Sequence, residues 1–190
     1  MKILVTGANG FLGSILIRHL LNAGYNVRSL IRKEAQDRFL RGLNNIEIMH
    51  GDIRNAEDVE KAIDDCGIVF HLASLYKFYP WWVKETQEIY QVNVEGVKNL
   101  LKAALRNGVE RFIFTSSIAA LDIFSGTSHY ARSKLMAEKE VEKARLEGLP
   151  ALILRPAIVL GAGDWKPTPS GEIILKFLNR EYYCYFETKL

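Results

Sequence analysis

The sequence predicts an α/β fold: a doubly wound parallel sheet with helices on both faces. Short apolar runs alternate with longer amphipathic stretches along the chain. The short runs are apolar nearly throughout, as strands buried on both faces require. The β-α-β-α alternation calls for crossover helices between parallel strands. A glycine-rich turn stands between the first strand and the first helix, where such folds bind phosphate.

In order, "KILVTG" (2–7) reads as the first strand and "GFLGSILIRHLLNAG" (10–24) as a helix ended by Gly24. "NVRSLIR" (26–32) is a second strand, "EAQDRFLRGL" (34–43) a short helix and "NIEIMHGD" (45–52) a third strand. "NAEDVEKAIDDC" (55–66) is a helix with Asn55 suited to its N-cap, followed by a fourth strand, "GIVFHLAS" (67–74). A long helix (86–108), a fifth strand (109–117), a second long helix (129–148) and a sixth strand within 150–161 complete the alternation. A Gly- and Pro-rich stretch (161–171) follows, then a helix that begins in "EIILKFLN". The expected organisation is a dinucleotide-binding domain over 1–163 and the start of a C-terminal substrate-binding region, cut short, over 164–190.

At 190 residues and 48% hydrophobic, the chain suits one globular domain with a sizeable core. The formal charge of +3 is weak, and no basic run exceeds Arg32 and Lys33, so nucleic acid is not an expected partner. Cys66 and Cys184 match no metal-ligand spacing. They read as buried small hydrophobes or free thiols of a reducing compartment, and no metal is expected. No apolar run reaches membrane-spanning length, and Met1 and Lys2 lead straight into a strand without a signal-peptide layout. A soluble, cytoplasmic protein with no membrane partner is the expectation.

"VTGANGFLG" places Gly7, Gly10 and Gly13 three apart between strand and helix. The first permits the tight turn, the second lets backbone approach a pyrophosphate, and the third lets helix pack on sheet. The helix N-terminus, opening at Phe11 and Leu12, adds free N–H groups and a positive dipole end. The second strand ends in Arg32 and Lys33, without the carboxylate that would hold a ribose 2′-hydroxyl. Two cations there favour NADP(H), with NAD(H) as the alternative; otherwise they are ordinary solvated cations. Asp52, past the third strand, lies where an adenine ring is expected, or caps the following turn.

"SHYARSK" puts Tyr130 and Lys134 four apart, on one helix face. The same spacing recurs at Tyr185 and Lys189, so spacing does not decide. Upstream, "FIFTSS" ends a strand in hydroxyls, and Ser117 precedes Tyr130 by 13 positions; the second copy has no such serine. Ligands of doubly wound sheets bind beyond strand C-termini. A free phenol, with a pKa near ~10, is a poor base at neutral pH, and a neighbouring ammonium lowers it. Ser117 would hold a substrate oxygen against the phenol, Tyr130 would give or take the proton, and Lys134 would support the phenol and the nicotinamide ribose. Failing that, Ser117 is a strand-end cap and the pair lies on a wet helix face.

The ordered set "TGANGFLG", "HGDIRN", "HLAS", "NVEGVKNLLKAA", "FTSS" and "YARSK" resembles the extended short-chain dehydrogenases/reductases over essentially the whole chain. "GYNVRSLIRK" is similar to dihydroflavonol-reductase-like members, and "GDWKPTPSGEIILKFLN" to the hopanoid-associated sugar-epimerase-like branch. The resemblance implies a Rossmann-type fold and Ser117, Tyr130 and Lys134 as the catalytic set. It implies cofactor contacts from the glycine turn, Arg32, Asp52, Ile53, Ala73 and Pro156. It gives Asn93 a water-relay or cofactor role; Asn93 otherwise reads as a polar residue bending its helix at the sheet edge. Two features depart from the family pattern. The insert "IAALDIFSGTSH" is short, and the chain stops at Leu190, ahead of the family's C-terminal substrate region, like a truncated product.

Tyr76, Phe78, Tyr79, Trp81 and Trp82 crowd the end of the fourth strand. They form a wall for a hydrophobic or ring-bearing substrate, or pack on a region beyond this chain. The family's dimer implies a homodimer through the helices 86–108 and 129–148, for which apolar residues on their exposed faces would be the sign. The expected activity is NADP(H)-preferring hydride transfer to or from a carbonyl, alcohol or sugar substrate. The alternatives are an NAD-dependent nucleotide-sugar epimerase or dehydratase and a non-catalytic dinucleotide-binding module.

Overall fold

A computed structural model describes residues 1–35, 37, 40–76, 83–121, 128–164 and 167–181. The short insert's centre, most of the aromatic cluster, Cys184 and the Tyr185–Lys189 pair lie outside the described residues. The chain forms two compact units, Met1–Ala157 and Ile158–Leu190.

The first unit is a six-stranded, wholly parallel sheet in the order β3-β2-β1-β4-β5-β6. Its strands are β1 (Lys2–Thr6), β2 (Asn26–Ile31), β3 (Ile46–His50), β4 (Cys66–His71), β5 (Arg111–Thr115) and β6 (Ala151–Leu154). The order reverses between β1 and β4, which opens the crevice where doubly wound sheets bind ligands. Side chains alternate across the sheet. Ile3 and Val5 of β1 bury against α1 (Phe11–Asn22), in a core with Ile17, Val27 and Ile31. Leu4 faces the other core, shared with Val69, Phe112 and Phe114. That core is covered by α2 (Ala56–Ile63), α4 (Gly96–Arg106) and α5 (His129–Leu146).

Asn55 caps α2, its side chain accepting from the backbone N–H groups of Glu57 and Asp58. Ser128 caps α5 in the same way, through Ala131 N. The long helix expected over 86–108 is interrupted. α3 (Val83–Tyr90) passes into a π-helical turn, Gln91–Glu95, before α4 begins. Such turns recur at functional sites, and this one carries Asn93.

One expectation is corrected. Among the described residues of 34–43 there is no helix: Leu40 N and Arg41 N close turns onto Asp37 O, Leu40 is buried in the core, and Ala35 and Leu43 pack against it in part. Gly42, with φ +79°, is in the left-handed region, which a right-handed helix does not continue through. A buried cation interrupts the apolar run of the second strand. Arg28 of β2 is 7% exposed and donates to Glu47 Oε2 at 2.9 Å, Ala62 O at 3.0 Å and Asp64 O at 2.5 Å. A buried cation thus satisfies the carbonyls at the C-terminus of α2.

In the second unit, α6 (Pro169–Leu178) is capped by Thr168, and no residue of it is buried. No described helix of the chain is long and apolar enough to cross a membrane. Among the described residues there is no group of three or more potential metal ligands.

Candidate active site

The glycine turn closes on itself through Gly10 N–H to Gly7 O at 3.0 Å. Gly7 has φ +73°, and a Cβ there would stand 2.6 Å from Ala73 N. A Cβ at Gly13 would strike Gly7 O. β1, α1 and the tip of β4 therefore meet closer than any side chain allows. Gly10 caps α1 with no side-chain hydrogen bond, which leaves the first N–H groups, at Phe11 and Leu12, for an anion. Beside this turn runs a crevice of about 190 Å³, with Gly7, Asn9 and Gly10 on one side and Ile31 and Arg32 on another. Asp52, Ile53, Ala73 and Ser74 also line it. The absence of side chains at the turn and the free helix terminus fit a dinucleotide pyrophosphate there, and Arg32 is among the lining residues.

Arg32 is exposed at the rim, whereas Lys33 is exposed and outside the lining. Asp52 does two things at once: it lines the crevice and accepts from Arg54 N at 2.8 Å, closing the following turn. The Arg54 guanidinium bonds both its oxygens and holds its carboxyl below the usual carboxylate range. Ile53 is buried in the core and lines the crevice with part of its surface. Pro156 is half-buried and does not line the crevice; its carbonyl accepts from Ile118 N at 3.1 Å.

Ser117 follows β5 and caps the turn Ile118–Ala120, accepting from Ala119 N at 3.2 Å. Its hydroxyl also lies near enough to the Tyr130 phenol to favour the phenolate, as does that of Ser74. Burial outweighs both influences and holds Tyr130 above its ordinary value. This corrects the expectation that Lys134 lowers the phenol: the Lys134 ammonium is engaged elsewhere, donating to Thr115 O at 2.7 Å and lying 4.4 Å from the centroid of the Phe114 ring. Burial pushes Lys134 down to about 7, with Glu138 opposing the shift. Tyr76 meets Tyr130 edge-on, with centroids 4.6 Å apart.

Asn93 has no hydrogen-bonding capacity left for a relay. Its Oδ1 accepts from Leu75 N at 2.7 Å and Ser74 Oγ at 3.2 Å, and its Nδ2 donates to Leu75 O at 2.9 Å and Ser133 Oγ at 3.0 Å. It ties the tip of β4 to α5 and does not line the crevice. Sequence reasoning missed Ser74, which lines the crevice and lies near the phenol, and also Asn9. The available signal was a small polar residue at a strand's C-terminal tip, in "HLAS".

The sequence profile of the NAD dependent epimerase/dehydratase family matches residues 3–182. The chain is 36% identical over 201 aligned residues to a dihydroflavonol 4-reductase-like protein of Synechocystis sp., covering 98% of this chain and 57% of that protein. It superposes on the crystal structure of gox2253 with a TM-score of 0.85 at 35% identity, covering 97% of this chain and 59% of the other. UDP-glucuronic acid 4-epimerase from Bacillus cereus, solved with NAD, gives a TM-score of 0.81 at 27% identity over 95% and 63% of the two chains. The chain thus spans under two thirds of the length of each. With a matched profile over almost its whole length, the chain belongs to the NAD dependent epimerase/dehydratase family.

Proposed function

We propose that the chain is the dinucleotide-binding and proton-transfer part of an NADP(H)-preferring oxidoreductase acting on a carbonyl or the matching alcohol. One observation carries the reading. Ser74 lines the glycine-turn crevice, and its hydroxyl, like that of Ser117, is near enough to the Tyr130 phenol to act on its protonation. The crevice and the candidate proton donor are therefore neighbours.

Tyr130, kept above its ordinary value, is a neutral phenol near pH 7 and so suits the acid role in carbonyl reduction. The Ser117 and Ser74 hydroxyls lie near the phenol, and Ser117 is the hydroxyl that would align a substrate oxygen. Tyr130 is half-buried, which limits the water around the transfer. The nicotinamide cofactor, when bound, supplies or accepts the hydride. Arg32 favours NADP(H), because it is the cation of the crevice lining, and the one carboxylate there, Asp52, is already neutralised by Arg54.

The second reading is an NAD-dependent nucleotide-sugar epimerase, favoured by the likeness to the NAD-bound UDP-glucuronic acid 4-epimerase. Fluorescence titration with NADPH and NADH separates them. The wild-type chain is expected to bind NADPH at least about tenfold more tightly, and Arg32→Ala to remove most of that preference. Equal affinities in the wild type would refute the phosphate clamp and turn the reading toward the epimerase. A homodimer through α3, α4 and α5 remains a proposal. The exposed positions of α4 and α5 are mostly charged, among them Lys102, Arg106, Arg132 and Lys139, with Met136 and Leu146 the apolar exceptions.

A further inference from the structure

Lys134 is 2% exposed, and a single carbonyl, Thr115 O, accepts from its ammonium. One acceptor replaces little of the water an ammonium loses on burial. The elements packed around it differ in what they present. β4 brings His71, a neutral imidazole; β5 brings the Phe114 ring and the Thr115 carbonyl. α5 itself brings Tyr130 one turn before and Glu138 one turn after. Of these groups only Glu138 carries a negative charge.

Glu138 is buried too, at 5% exposure, and its two oxygens are held by one guanidinium. Arg155 Nε donates to Oε1 and Nη2 to Oε2, both at 2.8 Å. Arg155 directly follows β6, and the next residue, Pro156, receives Ile118 N–H beside Ser117. The bidentate pair therefore braces the helix of Tyr130 and Lys134 against the segment that seats Ser117.

We propose that Glu138, braced by Arg155, is the positioning residue that sets the charge of the Lys134 ammonium one turn away. Its catalytic meaning rests on the function proposed above; the electrostatic arrangement does not. The two halves of the brace act in opposite directions. Glu138→Gln keeps the shape and removes the anion, so the ammonium loses its one countercharge. Arg155→Met keeps much of the side chain's length and leaves the carboxylate unshared, so the ammonium gains.

The test is an NMR pH titration of the 190-residue chain without cofactor or substrate, with ¹³C-labelled lysine and the Lys134 signal assigned through Lys134→Met. The midpoint of Lys134 is expected to fall by about one pH unit in Glu138→Gln and to rise by about one unit in Arg155→Met. Arg155→Lys is expected to keep the wild-type midpoint. Packing damage alone would leave both midpoints in place or move them the same way, and either result overturns the proposal. If Glu138→Gln does not fold, the arginine variants decide: a rise with methionine and none with lysine supports it, and any other pattern rejects it. No turnover is measured, so failure here is separate from failure of the oxidoreductase reading.

Discussion

At the residue scale, burial sets the protonation of the groups at the heart of the site. His71 is fully buried: its Nδ1 is paired with Thr6 Oγ1 at 2.6 Å, and its Nε2 has no hydrogen-bond partner among the described residues. Desolvation, with the Lys134 charge nearby, pushes the imidazole from 6.5 down to about 3. The unfolded chain then binds a proton at 6.5 that the folded chain refuses until about 3. Stability is therefore lost as pH falls through that window, by up to about 5 kcal/mol. Urea unfolding at stepped pH is expected to show this slope in the wild type and a flatter one in His71→Gln. Identical slopes would mean that other groups govern acid unfolding. For Tyr130, raised by burial, removal of the hydroxyl in Tyr130→Phe is expected to leave NADPH affinity within about twofold and to lower turnover of any accepted carbonyl by about a hundredfold or more. Undiminished turnover would discard Tyr130 as the acid.

At the element scale, the π-helical turn Gln91–Glu95 changes what a long helix can do. It sets Asn93 inward, where the amide pairs with both backbone groups of Leu75 in the manner of a strand neighbour. Ser74 is thereby held by Asn93 near the phenol. Asn93→Ala would strip partners from Leu75 N, Leu75 O and the Ser133 hydroxyl in a buried setting, at a cost of about 2–3 kcal/mol. Chemical denaturation measures that directly, and a loss below about 0.5 kcal/mol would show that water takes over these bonds at no cost. Periodicity marked the helix on both sides of the turn, because α3 and α4 share its apolar pattern. It could not mark the extra residue, which the packing of α5 and the β4 tip selects. The turns around Leu40 tell the same story: the helix-like pattern over 34–43 gives way to turns closed onto Asp37 O, although Leu40 still reaches the core.

At the scale of the whole molecule, the unit Met1–Ala157 contains all six described strands, both apolar cores and the candidate site residues from Gly7 to Pro156. α6 of the other unit buries none of its residues. A fragment of residues 1–157 is expected to fold cooperatively, within about 1 kcal/mol of the stability of the full chain. A non-cooperative transition, or loss of the sheet signal in circular dichroism, would show that residues 158–190 are needed for the core. The sequence by itself determined the parallel sheet and the glycine turn, and it marked the serine, tyrosine and lysine as candidates. Each of those is written in local spacing: apolar runs that must pair, glycines where no Cβ fits, and hydroxyls that end a strand. Only the tertiary structure decided that Ser74 lies near the phenol, that Asn93 is saturated, that Arg28 is buried in β2 and that Glu138 stands braced by Arg155. Those pairings join residues far apart in the chain, and their energies come from desolvation and long-range contact, which no local pattern encodes.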